Sequence, residues 1–217
     1  MHLTTLSFPE IKLRQSDGHK LRGYFSKIFG DESDLFHNHN ADGSAIYRYP
    51  RIQFKVIEQV PYLIGLDDGA ALLVERFMQI KELKLDDRTY TLNQKNIKSL
   101  DLSLGLIEDL ISYKFLSPWM ALNQKNHTAY LTMDTVQQAE LLKRILTSNM
   151  LSYMKAFGCL VESKVLVQHS LNTITTQFKN QTMVAFKGQF TTNALLPDFI
   201  GLGKSVARGY GAIKKIA

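Results

Sequence analysis

The stretch IYRYPRIQFKVIEQVPYLIGLDDGAALLVERFMQI, residues 46–80, carries two strand patterns and one helix pattern in immediate succession. Residues 46–59 alternate through Ile52, Phe54 and Val56, the period of two expected of a strand with one buried face. YLIGL (62–66) reads as a second strand, with a turn expected at Val60-Pro61. GAALLVERFMQI (69–80) then reads as a helix. Working outward, HKLRGYFSKIF (19–29) places Leu21, Tyr24 or Phe25, and Ile28 at helical spacing. LTTLSFPEIKL (3–13) reads as a strand whose Pro9 suits an edge or a bulge. Residues 83–92 supply a fourth strand. The resulting order, β-α-β-β-α-β, is the split βαβ arrangement of the ferredoxin-like fold.

The second half repeats the theme. LGLIEDLISYKFLSPW (104–119) contains strand-like apolar runs. DTVQQAELLKRILTSNMLSYMKAFG (134–158) predicts a helix, with Asp134 as N-cap and Gln137 in the capping-box position. Leu142, Leu146, Met150, Tyr153 and Phe157 form one apolar stripe along it. VLVQHSLN, TITTQF and MVAFKGQFTTN, within 165–193, read as β segments with a turn at Lys179-Asn180-Gln181. The expected fold class is therefore α+β, two tandem ferredoxin-like (RRM-like, βαββαβ) units closed by a C-terminal glycine-rich loop. The corresponding domains are 1–95 and 100–217, with the boundary near residues 93–103.

The chain has 217 residues, 45% hydrophobic and 21% charged, which is enough apolar content for a core in each unit. No run approaches the length of a membrane span. The start, MHLTTLSFPEIKL, lacks a basic segment followed by an apolar core, so no signal peptide is expected. A single cysteine, Cys159, cannot form an internal disulfide, which fits the cytosol. Net charge is +6 and unevenly spread. Residues 161–217 hold seven Lys/Arg against Glu162 and Asp198, whereas the first 160 residues hold nineteen against eighteen acids. A basic C-terminal region beside a nearly neutral remainder suits a polyanion, because clustered cations release counterions from a phosphate backbone.

PDFIGLGKSVARGYGAI (197–213) contains GLGKS, which looks like the end of an ATP-binding loop. The spacing excludes it. G-x-x-x-x-G-K-[ST] would need a glycine at 198, where Asp198 would face the phosphates. Only twelve residues follow Ser205, too few for the helix and parallel strands of a nucleotide fold. Read instead as a chain-binding loop, its glycines permit close backbone approach, Lys204 and Arg208 supply charge, and Tyr210 supplies a ring for stacking.

Gly201-Leu202-Gly203, a short basic stretch Lys204 to Arg208, and Gly209-Tyr210-Gly211 resemble the C-terminal glycine-rich loop of the CRISPR-associated RAMP proteins, especially the Cas6 endoribonucleases. The block LRGYF…HNH…YRYPRIQFK carries the rest of the likeness. The resemblance implies a catalytic histidine after the first helix, often with a tyrosine in that helix and a lysine on the following strand. His37 and His39 of LFHNHN occupy that interval, with Tyr24 in the helix and Lys55 on the strand. The residues do not choose between His37 and His39. Histidine suits either proton transfer because its pKa lies near neutrality.

The implied reaction is metal-independent cleavage of CRISPR precursor RNA within its repeats. The 2′-hydroxyl attacks the adjacent phosphorus, leaving a 2′,3′-cyclic phosphate and a 5′-hydroxyl, with no cofactor and no metal. RNA-binding candidates are Gly201, Gly203, Lys204, Arg208, Gly209, Tyr210 and Gly211 of the loop, with Lys187, Arg48 and Arg51. Expected partners are CRISPR repeat RNA, as precursor and mature guide, and other Cas proteins of an effector complex; a homodimer is also compatible. Two alternatives stay open: a non-catalytic RAMP subunit that binds guide RNA, and a metal-dependent nuclease using LFHNHN with Asp31, Glu32, Asp34 and Asp42. His127 is expected in a loop, His169 on a strand face and Trp119 in the core.

Overall fold

A computed structural model describes residues 1–30, 33–36, 48–178 and 181–216. The chain forms two compact units, each built on a four-stranded antiparallel sheet, and is α+β. Unit 1 comprises Met1–Leu102 together with Val206–Gly209; unit 2 comprises Ser103–Ser205 and Tyr210–Ala217.

In unit 1 the order is β1 (His2–Ser7), α1 (Gly18–Phe29), β2 (Ile52–Ile57), β3 (Val60–Leu66), α2 (Asp68–Arg76), β4 (Glu82–Leu85), β5 (Arg88–Thr91) and β6 (Asn96–Asp101). The sheet runs β2-β3-β1-β6, so β2 is an edge. The β2–β3 turn falls at Glu58 and Gln59, both at positive φ, rather than at Val60-Pro61. Pro61 lies inside β3 opposite Val56, and its carbonyl accepts from Phe8 N at 3.2 Å. The segment expected as the fourth strand, 83–92, folds on itself as the β4–β5 hairpin, a separate two-stranded sheet. The place beside β1 is taken by β6, register His2–Asp101 to Ser7–Asn96. All six residues of β6 are exposed, so no apolar alternation marked it in the sequence.

The core of unit 1 is aromatic. Phe25 of α1 is fully buried, and its ring lies 5.7 Å from that of Phe54 on β2, 6.5 Å from Phe8 and 6.3 Å from Phe29. Phe36, in the turn Asp34–Phe36, packs its ring 5.2 Å from Phe29. Ser26 Oγ donates to the Phe36 carbonyl at 2.9 Å. The backbone one residue before His37 is thus tied to α1.

Unit 2 contains β7 (Gly105–Phe115), α3 (Gln124–Thr132), α4 (Thr135–Ala156), β8 (Val167–Phe178), β9 (Gln181–Leu195) and β10 (Ile213–Lys215), with sheet order β10-β7-β9-β8. Helix α4 starts as the sequence indicates. Asp134 Oδ1 accepts from Gln137 N at 2.9 Å, and Asp134 N donates to Gln137 Oε1 at 3.2 Å. Leu142, Leu146, Met150 and Tyr153 are buried. The segments VLVQHSLN and TITTQF contribute to one strand, β8, which pairs with β9 from Val167–Thr192 to Phe178–Gln181. His127 lies in α3 rather than a loop; Asn123 caps that helix by accepting from Asn126 N at 2.7 Å. No helix joins β9 to β10, so unit 2 departs from the expected βαββαβ order. The connecting 196–212 contains Pro197 and four glycines, and glycine is among the poorest helix formers. His169 lies on β8 with Nε2 2.9 Å from the Ala139 carbonyl, and Trp119 is fully buried.

Replacing Phe25 by Ala should cost unit 1 about 3–5 kcal/mol, because the ring is enclosed by three others and its loss leaves a cavity. Urea unfolding followed by circular dichroism would measure the drop.

Candidate nucleic-acid interface

The glycine loop begins as a short antiparallel pairing. Phe199 N donates to Ile213 O at 2.7 Å, Ile213 N to Ile200 O at 3.1 Å, and Leu202 N to Gly211 O at 2.9 Å. Gly201 bridges Ala212. The segment after β7 supplies further anchors: Gly211 N donates to Pro118 O at 2.9 Å, Lys204 N to Met120 O at 3.0 Å, and Ala212 N to Ser117 Oγ at 2.8 Å. Two glycines are required by this packing. Gly203, at φ +89°, would set a Cβ 2.6 Å from Trp119 Nε1. Gly211, at φ +64°, would drive one into the Leu202 carbonyl. The backbone and ring that these two glycines accommodate are the protein's own, a second reason for glycine beside RNA approach.

Tyr210, expected to offer a stacking ring, is buried. Its hydroxyl donates to Gln177 O at 2.7 Å, and its ring meets Phe178 edge-on at 5.8 Å. Gly201 and Gly209 are also buried, whereas Lys204 and Lys187 are exposed and Arg208 is half-buried. Burial lowers the Lys204 pKa from its ordinary value. After Ser205 comes a three-residue 3-10 turn, Val206–Arg208, and no helix points at a would-be phosphate, in keeping with the exclusion of an ATP loop.

That turn and Gly209 belong to unit 1, where Lys55 holds them. Lys55 Nζ donates to Val206 O at 2.9 Å. Lys55, expected with the catalytic histidine, is fully buried, and desolvation pushes its pKa down to about 7. Tyr24 is likewise committed: its hydroxyl donates to Glu82 O at 2.9 Å, and burial, helped by the Glu82 charge, raises its pKa. A phenol that gives its proton to a carbonyl and resists ionisation is placed to pin β4 rather than to act as a base. Arg48 pairs with Asp34 at 3.0 Å, and Arg51 with Asp67 at 3.2 Å beside the start of α2. His37 and His39 lie outside the described residues, as do Asp31, Glu32 and Asp42. The expected residues therefore separate into packed ones (Tyr24, Lys55, Tyr210), ion-paired ones (Arg48, Arg51), exposed lysines (Lys187, Lys204) and the half-buried Arg208.

Arg22 escaped the sequence reading. It is half-buried on α1, and its pKa is lowered by burial and by the charge of Arg208. Its only sequence signal is its place within LRGYF.

The family profile described as the Cas6b N-terminal domain matches residues 1–102, and that described as the Cas6b C-terminal domain matches 105–216. The chain belongs to the Cas6b family. A crystal structure of Cas6b aligns with a TM-score of 0.95 at 38% identity over 99% of both chains. A crystal structure of the CRISPR RNA processing endoribonuclease Cas6b aligns with a TM-score of 0.81 at 34% identity over 100% of both. An uncharacterized protein of Methanocaldococcus jannaschii is 32% identical over 145 residues, 65% of this chain and 97% of its own. No helix among the described residues is long and apolar enough to cross a membrane.

Two outcomes follow for this Cas6b chain. The unfolded Lys55 amine titrates near 10.5 and the folded one near 7, so between these values the unfolded chain holds the extra proton. Lys55 therefore makes stability rise with pH across that window, by at most about 1.4 kcal/mol per unit. Urea midpoints taken at pH 6.5, 8 and 9 should climb less in Lys55→Met than in the parent. Gly211→Ala should destabilise unit 2 by at least about 2 kcal/mol, the combined cost of positive φ and the collision with Leu202. A thermal melt would show it.

Proposed function

We propose that this member of the Cas6b family, a CRISPR RNA processing endoribonuclease, cuts precursor RNA within its repeats by metal-independent attack of a 2′-hydroxyl. One of His37 and His39 transfers a proton while the other orients or binds the RNA; in the reaction one group takes the hydroxyl proton and a second protonates the departing 5′-oxygen. The products carry a 2′,3′-cyclic phosphate and a 5′-hydroxyl, and DNA, lacking the attacking group, is left intact. The observation that carries the reading is the Cas6b match across both halves of the chain, which includes the LFHNHN segment. The anchoring of Phe36 to Ser26 and Phe29 supports it, since it ties down the backbone just before His37.

Lys187, Lys204 and Arg208 bind the RNA backbone; Arg48 and Arg51 exchange their carboxylate partners for phosphate only if those ion pairs open. Gly201, Gly203, Gly209, Tyr210 and Gly211 shape the loop that presents Lys204 and Arg208, and Lys187 stands on β9. Lys55 and Tyr24 act as positioning residues through Val206 and Glu82. Unit 1, with sheet order β2-β3-β1-β6, is read as ferredoxin-like with the β4–β5 hairpin inserted; unit 2 keeps the equivalent strand order with a loop in place of its second helix. The RNA partner is the CRISPR repeat, held as precursor and as guide.

The test incubates the purified chain with repeat RNA in EDTA. Cleavage at one site is expected, blocked by a single 2′-deoxy substitution at the scissile nucleotide. His37→Ala with His39→Ala should slow cutting by about 10²–10⁴-fold while affinity stays within about threefold. Tight binding without cutting would favour a guide-binding subunit, and cutting of RNA and DNA only with added divalent ion would favour a metal nuclease.

A further inference from the structure

We propose that Lys114, Lys187 and Lys214, on the open face of the unit 2 sheet, form a cationic strip that holds a ribose-phosphate strand of the RNA. Lys114 and Lys214 are binding residues that the sequence did not suggest. The strip presupposes the RNA-processing reading above and adds a further stretch of contact to it. Strand register puts the three lysines together. Lys214 of β10 stands directly opposite Lys114 of β7; Lys114 stands opposite Gln189 of β9, and Gln189 opposite Ser170 of β8. Side chains directly opposite each other share a face, so these four make one row across the whole sheet. Lys187 is two residues from Gln189 on β9, hence on the same face and diagonal to Lys114. The alternate residues point the other way: Tyr113, Phe115, Phe190 and Ile213 are buried, and His169 bonds the Ala139 carbonyl of α4. The row therefore lies on the face turned away from α4, and all three lysines, Gln189 and Ser170 are exposed.

Opposite pairs are about 5 Å apart and diagonal ones about 7–8 Å, so the lysines run as a line of closely spaced charges. Lysine directly opposite lysine is an unfavourable pair on a sheet. No acid relieves it. Among the described residues, none of the three lysines makes an ion pair. The acids of β7, Glu108 and Asp109, lie beyond a register shift, about 17–20 Å along the strand from Lys114 and farther than a Debye length. Asp198 accepts from the backbone N of Lys215 at 2.7 Å, beside the outer edge of β10. A repulsive line of cations kept clear of carboxylates is relieved by an anion laid along it, and a phosphodiester strand offers such charges in series. Gln189 and Ser170 add hydrogen-bonding groups suited to sugar hydroxyls and phosphate oxygens. The row has no aromatic ring, so it holds the backbone without stacking on bases or reading them.

The experiment measures affinity by anisotropy at several salt concentrations, using precursor RNA that carries one repeat and its flanking nucleotides. The full chain is compared with Lys114→Ala, Lys214→Ala, the two combined, the two combined as arginine, and Lys155→Ala on exposed α4. The alanine pair should weaken binding about tenfold and reduce the salt slope by about 1.4, roughly 0.7 for each lysine lost. Each single change should give about half that loss of slope. A scrambled RNA of equal length should lose the same factor, because phosphates carry no sequence. The arginine pair, which keeps both charges, should keep the parent slope. Lys155→Ala should bind within about twofold of the parent. Without RNA, the alanine pair should melt at the parent temperature or above, since a like-charge contact has been removed. Parent-like affinity and slope in the alanine pair would overturn the strip, and so would an equal loss in Lys155→Ala, which would reduce the effect to net charge. A lowered melting temperature in the alanine pair, shared by the arginine pair, would make these lysines structural and also overturn it. Failure of the parent chain to bind or cut repeat RNA would instead sink the functional reading.

Discussion

The bond from Lys55 Nζ to the Val206 carbonyl, closed across 151 positions of sequence, governs where the tip of the glycine loop rests within unit 1. Burying an amine is costly, and desolvation accordingly depresses its pKa toward 7. The chain accepts it at an edge strand, where the carbonyl of a neighbouring turn gives the amine a partner. With the turn fixed there, Arg208 has a defined place beside α1, and the glycine at 18 becomes a packing requirement rather than a helix defect. A residue of opposite or no charge at 55 would leave the Val206 carbonyl without this donor.

The glycine loop itself does two separable jobs. Its arms, from Phe199 to Lys204 and from Tyr210 to Ile213, are internal structure of unit 2, paired with each other and bonded to Ser117, Pro118 and Met120. Aromatic packing completes them through Trp119 and the Tyr210–Phe178 contact. Its cations reach solvent: Lys204 is exposed and Arg208 half-buried. Glycine and tyrosine thus provide shape and leave lysine and arginine as the cations of the loop, which is the division expected when a phosphate backbone is held without reading bases. The connection replaces the helix that would otherwise return the chain from β9 to β10, and strand order survives because β10 pairs with β7.

Much of the architecture was legible because it is written in local periodicity. The capping box at Asp134 and Gln137, the stripe from Leu142 to Tyr153, and the alternation of Ile52, Phe54 and Val56 each depend on neighbours within a few residues. The family likeness was legible in Gly201–Gly211 and in LRGYF, and the Cas6b profiles extend it over both halves. Elements without such a signal were not. Strand β6 is exposed throughout, and residues 83–92 show strand propensity without revealing that they pair with themselves. Helix α3 was hidden by a polar start, NQKNHT.

The sequence by itself determined residue chemistry and local form: an α+β chain, a basic C-terminal region, histidines after a first helix, and a loop unfit for ATP. Tertiary structure alone decided which groups are available for chemistry. Lys55 alternates with core residues and so reads as solvent-facing, yet a distant turn encloses it. Tyr210 and Tyr24 look like free rings and are committed to carbonyls 33 and 58 positions away. Arg22 looks like one more cation on a helix, and only the fold lets the charge of Arg208 act on it. The reason is physical. Periodicity fixes which way a side chain points relative to its own element, whereas burial, ionisation and pairing depend on what another part of the chain brings to that face.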